Sequence, residues 1–180
     1  YARFPSGSAE WMAARGLNSA GQGYDSWLLA AMQFVLAPGG EPSYAPDIVS
    51  NSWGSTDGGS TTFADAIAVL QAAGILVIFS AGNSGPLAAS VGSPGSNPGV
   101  PAIGATDSDD DVAWFSSRGP SLWDEIKPLV SAPGVGVISA FPGGVYRSRL
   151  SNYSEWSHPA FAQHVGEQEW THPGHFPLPS

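Results

Sequence analysis

Ile75-Leu76-Val77-Ile78-Phe79-Ser80-Ala81-Gly82-Asn83-Ser84-Gly85-Pro86 passes from five consecutive apolar residues into a turn of small ones. With no polar position among the five, the run suits a central strand of a parallel sheet, covered on both faces. The small residues after it form a strand-end turn that presents one amide side chain, Asn83, which could donate a hydrogen bond into a cleft. Taken alone, an Asn between Gly and Ser reads more simply as a turn former.

On the N-terminal side of this run, Phe63, Ala66, Ile67, Leu70 and Ala73 recur at helical spacing, predicting a helix from about Thr62 to Ala73 that Gly74 terminates. Asp47 to Gly54 (DIVSNSWG) reads as another strand running into polar residues and a glycine, a profile expected where a parallel strand opens into a site. Before it, Trp27, Leu28, Ala31, Met32, Phe34 and Val35 predict a helix that Asp25 or Ser26 caps and Pro38-Gly39-Gly40 ends. Trp11 to Leu17 (WMAARGL) is consistent with a further strand, closed by the polar stretch Asn18 to Gly23. Strands alternating with helices predict an α/β domain with a parallel sheet and right-handed crossovers. Beyond Val100 the helical period fades into short extended pieces: Ile103 to Ala105, Val112 to Phe115, Leu129-Val130 and Val135 to Ile138.

The 180 residues, 42% hydrophobic and 12% charged, suit one globular unit with a core. Fifteen acidic against six basic side chains give a net charge of -9, which repels a phosphate backbone or an anionic lipid surface, so neither nucleic acid nor membrane is expected as a partner. No cysteine is present, which excludes a disulfide framework and a thiolate nucleophile and leaves the redox compartment open. No apolar run approaches the roughly 18 residues a membrane span needs. Tyr1 opens no basic-then-apolar leader, so a processed chain or a piece of a larger one is expected. Glycine and proline together exceed a fifth of the residues, implying many loops.

Five stretches, in order, resemble the subtilisin-like serine proteases, most closely their bacillopeptidase F-like branch: DIVSNSWG (47–54), FSAGNSGP (79–86), GATD (104–107), FSSRGP (115–120) and WDEIKPLVSAPGVG (123–136). The resemblance covers roughly residues 10 to 148. It implies a three-layer, partial subtilisin-like α/β fold that lacks the N-terminal strands and helix of the complete family. It also implies that Asn83 supplies the oxyanion-hole amide, a donor worth about 3–4 kcal/mol in the transition state, a magnitude established on subtilisin itself. Ser52-Trp53-Gly54 and Ser80-Ala81-Gly82 would bind extended peptide along their backbones, as in strand addition to a sheet edge. Without the resemblance both segments read as ordinary strand-end turns.

The chain departs from the family at the Ser-His-Asp triad. Neither an Asp strand motif nor a His-Gly-Thr-His element precedes Trp11, and the four histidines, His158, His164, His172 and His175, all follow the recognisable domain. Where the family reads Leu-Ser-Gly-Thr-Ser-Met, this chain has Leu150-Ser151-Asn152-Tyr153-Ser154-Glu155, which puts Ser154 in the nucleophile slot with both the Gly and the Thr replaced. If the chain is active, the expected machinery is Asn83 as oxyanion donor and Ser154 paired with His158 or His164, acting on peptides or small esters. The alternative is a non-catalytic fragment serving as a binding or structural module. No Gly-x-Ser-x-Gly elbow and no phosphate-binding loop of the Walker type is present.

The expected organisation is a partial peptidase domain over 1–148 and a divergent tail over 149–180. In the tail, Glu155-Trp156-Ser157-His158-Pro159 and Glu169-Trp170-Thr171-His172-Pro173 are similar pentads. Trp156-Ser157-His158-Pro159 with Phe161 also resembles streptavidin-binding peptide tags, with Ala160 where those carry Gln. The tail spacings match no standard metal site. No cofactor is expected; Asp107, Asp109, Asp110 and Asp111 form the one calcium candidate, with a solvated turn as the simpler reading. A sheet truncated at its N-terminal side exposes an edge and an apolar face, so a second copy, a complementing chain or the tail itself is expected to cover them. An extracellular location follows from the family resemblance only.

Overall fold

The computed structural model describes residues 4–6, 9–18 and 20–137. Two short antiparallel strands, β1 (Phe4–Ser6) and β2 (Ala9–Trp11), pair with each other. Helix α1 (Asp25–Leu36), strand β3 (Ile48–Asn51), helix α2 (Ala64–Ala72) and strands β4 (Leu76–Ser80), β5 (Ala102–Thr106) and β6 (Val130–Pro133) follow. The last four strands form one sheet in the order β3-β4-β5-β6, every neighbouring pair parallel. The α/β class and the parallel sheet are as the sequence predicts.

The core lies on one face of that sheet. Val77 and Phe79 of β4 are sealed from solvent, and Leu28, Met32 and Val35 of α1 and Ile67 and Leu70 of α2 pack into one cluster with them. Spacings of three and four put those helical side chains on single faces, and each buried side chain of this size is worth about 1.5–3 kcal/mol. Helix α2 ends where expected: Gly74 takes φ +85°, a left-handed conformation that only glycine adopts without cost, and Ile75 turns back to donate its N–H to the Leu70 carbonyl (3.1 Å).

Several local expectations are corrected. Helix α1 is capped by neither Asp25 nor Ser26: Tyr24 is the N-cap, without a side-chain cap bond, and Asp25 sits in the first turn, where its charge suits the helix dipole. Of the Trp11–Leu17 run only Trp11 lies in a strand; Ala13, Ala14 and Arg15 are exposed, with no partner strand among the described residues. Of Val112–Phe115 only Val112 makes a bridge, to Thr106, because Ser116 N–H closes a turn on the Ala113 carbonyl (2.9 Å). Residues 135–137 form no strand, and Ile138 is outside the described residues.

The apolar run of β4 is covered on one face rather than two among the described residues. Side chains alternate along a strand, so Leu76 points away from the helices and is 48% exposed, as are Ile48 of β3 (56%) and Val130 of β6 (54%). Both described α-helices contribute to the cluster on the Val77 and Phe79 face, so these residues supply two of the three expected layers.

Two stability outcomes follow. Phe79→Ala should cost about 3–5 kcal/mol in urea unfolding, the range for emptying a sealed aromatic site. Among the described residues β3 is an edge strand; that edge and the half-exposed face should drive self-association, so sedimentation velocity is expected to give a species larger than a monomer.

Candidate functional site

Strands β3 and β4 are parallel with Asn51 opposite Phe79, so Ser52 and Ser80 are the next residues on adjacent chains. The two segments suggested by sequence, 52–54 and 80–82, therefore leave the sheet side by side at its C-terminal edge, where open parallel sheets place their sites.

The first segment is anchored through its tryptophan. The Trp53 indole turns into the core, edge-on to Phe63 (centroids 4.9 Å apart) and Phe79 (5.1 Å), and its Nε1–H donates to Asn51 Oδ1 (3.1 Å). The Asn51 Nδ2 group in turn donates to the Ile78 carbonyl (3.1 Å), tying β3 to β4 through a largely buried side chain. Trp53 thus contributes packing through its ring, which is partly buried against the core.

The second segment is clamped from two sides. Ala81 N–H donates to the Ile103 carbonyl (2.9 Å), while the Ala81 carbonyl accepts from Gly92 N–H (3.3 Å). Gly82, at φ +100°, accepts from Ser117 N–H (3.0 Å), Ser84 N–H donates to Ser117 Oγ (3.0 Å), and Gly85 N–H donates to the Phe115 carbonyl (2.9 Å). Asn83, at the apex, is exposed and its amide makes no hydrogen bond among the described residues. A fixed backbone carrying a free donor is the arrangement that electrostatic stabilisation of an oxyanion requires.

Two further contributors are not singled out by the sequence. Ser117 holds the Asn83 turn with both its backbone and its hydroxyl; FSSRGP was visible, but nothing in it says which serine reaches back. The Gly92-Ser93-Pro94-Gly95 loop fills the space between the strand ends, where Ser55 N–H donates to the Ser93 carbonyl (2.9 Å). A Cβ on Gly92 would overlap the Ser55 carbonyl oxygen, one on Gly54 would come within 2.7 Å of Ser93 O, and one on Gly95 within 2.8 Å of Ser80 O. The density of Gly and Pro over 92–99 was the available signal.

Ser154, His158 and His164 lie outside the described residues. In the aspartate cluster, Asp107 Oδ1 accepts from the N–H groups of Asp109 and Asp111 (3.0 Å each), an Asx-type turn, with Asp110 at φ +64°. Among the described residues no three carboxylate or imidazole side chains are grouped to hold a metal ion, and no helix is long and apolar enough to cross a membrane.

Comparison with known proteins agrees with this geometry. The subtilase family profile (Peptidase S8) matches residues 6–166. Bacillopeptidase F of Bacillus subtilis (strain 168) is 41% identical over 149 residues, which are 77% of this chain and 10% of that protein. Serine protease AprX of the same organism is 41% identical over 57% of this chain and 23% of its own length. The solved structure of sphericase superposes with a TM-score of 0.62 at 26% identity, over 79% of this chain and 48% of that one. The prenylagaramide maturation protease PagA gives 0.58 at 25% identity, again over 79% and 48%. The chain thus spans about a tenth to a quarter of the two curated relatives and about half of the solved ones. Sequence profile, curated relatives and superposed structures converge on one assignment: the chain belongs to the subtilase family.

Proposed function

We propose that this chain carries the oxyanion donor and substrate-binding strands of a serine-hydrolase site that cleaves peptide or ester bonds by acyl transfer. The observation that carries the reading is the free Asn83 amide, held on a clamped turn beside two parallel strand ends. In this reading an extended peptide lies along the backbones of 52–54 and 80–82. Ser154 attacks the scissile carbonyl, and His158 or His164 takes the hydroxyl proton and delivers it to the leaving amine or alcohol. Charge then gathers on the carbonyl oxygen, where Asn83 Nδ2 donates. Water hydrolyses the acyl-serine and restores the hydroxyl. The family profile runs to residue 166 and so takes in all three of these tail residues, which supports assigning them roles. The orienting carboxylate of a full triad is left to a complementing chain or second copy, and an extracellular setting belongs to the same proposal.

A second reading, a non-catalytic binding or structural module, is favoured by one observation: the half-exposed sheet face at Ile48, Leu76 and Val130 has the character of a surface that receives another chain.

A fluorophosphonate probe separates the two. Labelling that maps to Ser154 and disappears in Ser154→Ala is the expected result; absence of label in a folded sample leaves the binding module as the function. With an activated ester as substrate, Asn83→Ala should lower kcat by about 10²–10³, the magnitude measured for such a donor in subtilisin. Positioning by Ser117 predicts a different signature. Ser117→Ala removes the acceptor of Ser84 N–H, so it should cost about 0.5–1.5 kcal/mol of stability and speed hydrogen exchange at the Ser84 amide.

A further inference from the structure

An asparagine is chemically unstable where its amide is uncommitted and exposed and the backbone nitrogen of a small following residue lies beside it. The described residues include Asn18, Asn51, Asn83 and Asn97. Asn51 is nearly sealed and bonded at both ends of its amide, to the Ile78 carbonyl and the Trp53 indole. Asn97 is buried and precedes Pro98, which has no N–H to react. The Asn18 Oδ1 accepts from the N–H groups of Ala20 and Gln22 (3.0 Å each). Asn83 differs from all three: it is exposed, its amide makes no hydrogen bond among the described residues, and the residue after it is the small, exposed Ser84.

The nitrogen that would attack this amide is held back. Ser84 N–H donates to Ser117 Oγ (3.0 Å), and the backbone on either side is fixed, with the Gly82 carbonyl accepting from Ser117 N–H (3.0 Å) and Gly85 N–H donating to the Phe115 carbonyl (2.9 Å). A backbone amide has to leave its acceptor before its nitrogen can turn onto a neighbouring carbonyl carbon. The rate of attack is then the population of the opened bond multiplied by the rate of ring closure. One hydroxyl, from a residue 33 positions away, therefore sits on the step that decides how long the Asn83 amide lasts.

We propose that Asn83 is a deamidation site whose rate is set by the Ser117 hydroxyl. Once the bond opens, the Ser84 nitrogen gives up its proton to hydroxide and bonds to Asn83 Cγ. The Cγ–Nδ2 bond breaks, and Nδ2 takes a proton from water and leaves as ammonia. Water then opens the cyclic imide. Cleavage of the new N–Cγ bond gives aspartate, and cleavage between that nitrogen and the main-chain carbonyl carbon of residue 83 gives isoaspartate; nothing is oxidised or reduced. Either product replaces an amide donor by a carboxylate that only accepts. The consequence for catalysis rests on the hydrolase reading, because a carboxylate there repels a developing oxyanion. The chemistry at 83–84 does not depend on that reading.

The full 180-residue chain, incubated in mildly alkaline buffer, is followed by peptide mapping with mass spectrometry and by hydrogen exchange at the Ser84 amide. Conversion at Asn83 is expected ahead of Asn51 and Asn97. Ser117→Ala should speed it about threefold to tenfold and speed Ser84 exchange by the same factor. Ile67→Val, a loss of packing in α2, lowers overall stability and should leave the Asn83 rate unchanged. No conversion at Asn83 in either chain, equal rates with and without the Ser117 hydroxyl, or the same acceleration in Ile67→Val overturns the proposal. Should Ser117→Ala fail to fold, the unaltered chain decides: the slowing of conversion relative to the urea-unfolded chain should match the protection of the Ser84 amide, and a mismatch overturns the proposal. Hydrolysis of an activated ester in the same samples tests the other reading separately. Activity that falls in step with the remaining Asn83 supports the hydrolase, and activity absent from the start counts against the hydrolase alone.

Discussion

The contact between Trp53 and Phe79 links the core to the site. Phe79 is sealed at the end of β4, and the indole of Trp53 lies edge-on to it at 5.1 Å while donating to Asn51. Because the ring is held from the core side, the chain leaving β3 has one direction available, alongside the chain leaving β4. The Asn51 amide, bonded across to Ile78, stops the two strand ends from slipping past each other. Apolar packing and two hydrogen bonds thus place two backbone segments next to each other.

The same edge is stiffened by close backbone approach. Glycines at 54, 92 and 95 let the loop after the Asn83 turn lie directly against both strand ends, at distances no larger residue tolerates. Ser117 and Phe115 close the turn from the far side. Farther along, the buried Lys127 ammonium bonds the carbonyls of Asn97 and Val100, and Glu125 accepts from Gly99 N–H (3.2 Å), so the 97–100 segment is bonded to 125–127. In the proposed reaction, a donor that meets charge as it develops gains from such rigidity, because less of the protein has to reorganise.

Stiffness on this edge contrasts with openness elsewhere. One sheet face is packed by two helices, and the other carries aliphatic side chains about half exposed. Curated relatives of about 41% identity are several times longer than this chain, so in them the corresponding sheet belongs to a larger body. An apolar face of this kind sets the conditions under which the fold holds together in water, since exposed strand edges and aliphatic patches favour association over solvation.

Much of this was legible in the sequence because it rests on local chemistry. Apolar period fixed the type of α1, α2 and β4, Gly74 fixed the end of α2, and five ordered motifs carried the family. Asn83 could be singled out because it follows an apolar strand in a turn of small residues. What periodicity could not say was which neighbours each face would meet: the β4 run reads as covered on both sides, yet Leu76 is half open, since burial depends on elements distant in the chain. For the same reason the core contact of the Trp53 ring is not legible in its segment, and Ser116 and Ser117 read alike within one motif although Ser116 Oγ accepts from Ala105 N–H and Ser117 clamps the Asn83 turn. Strand, helix and turn follow from interactions within a few residues; which side chain is left free, and beside what, is decided only when segments far apart in sequence pack together.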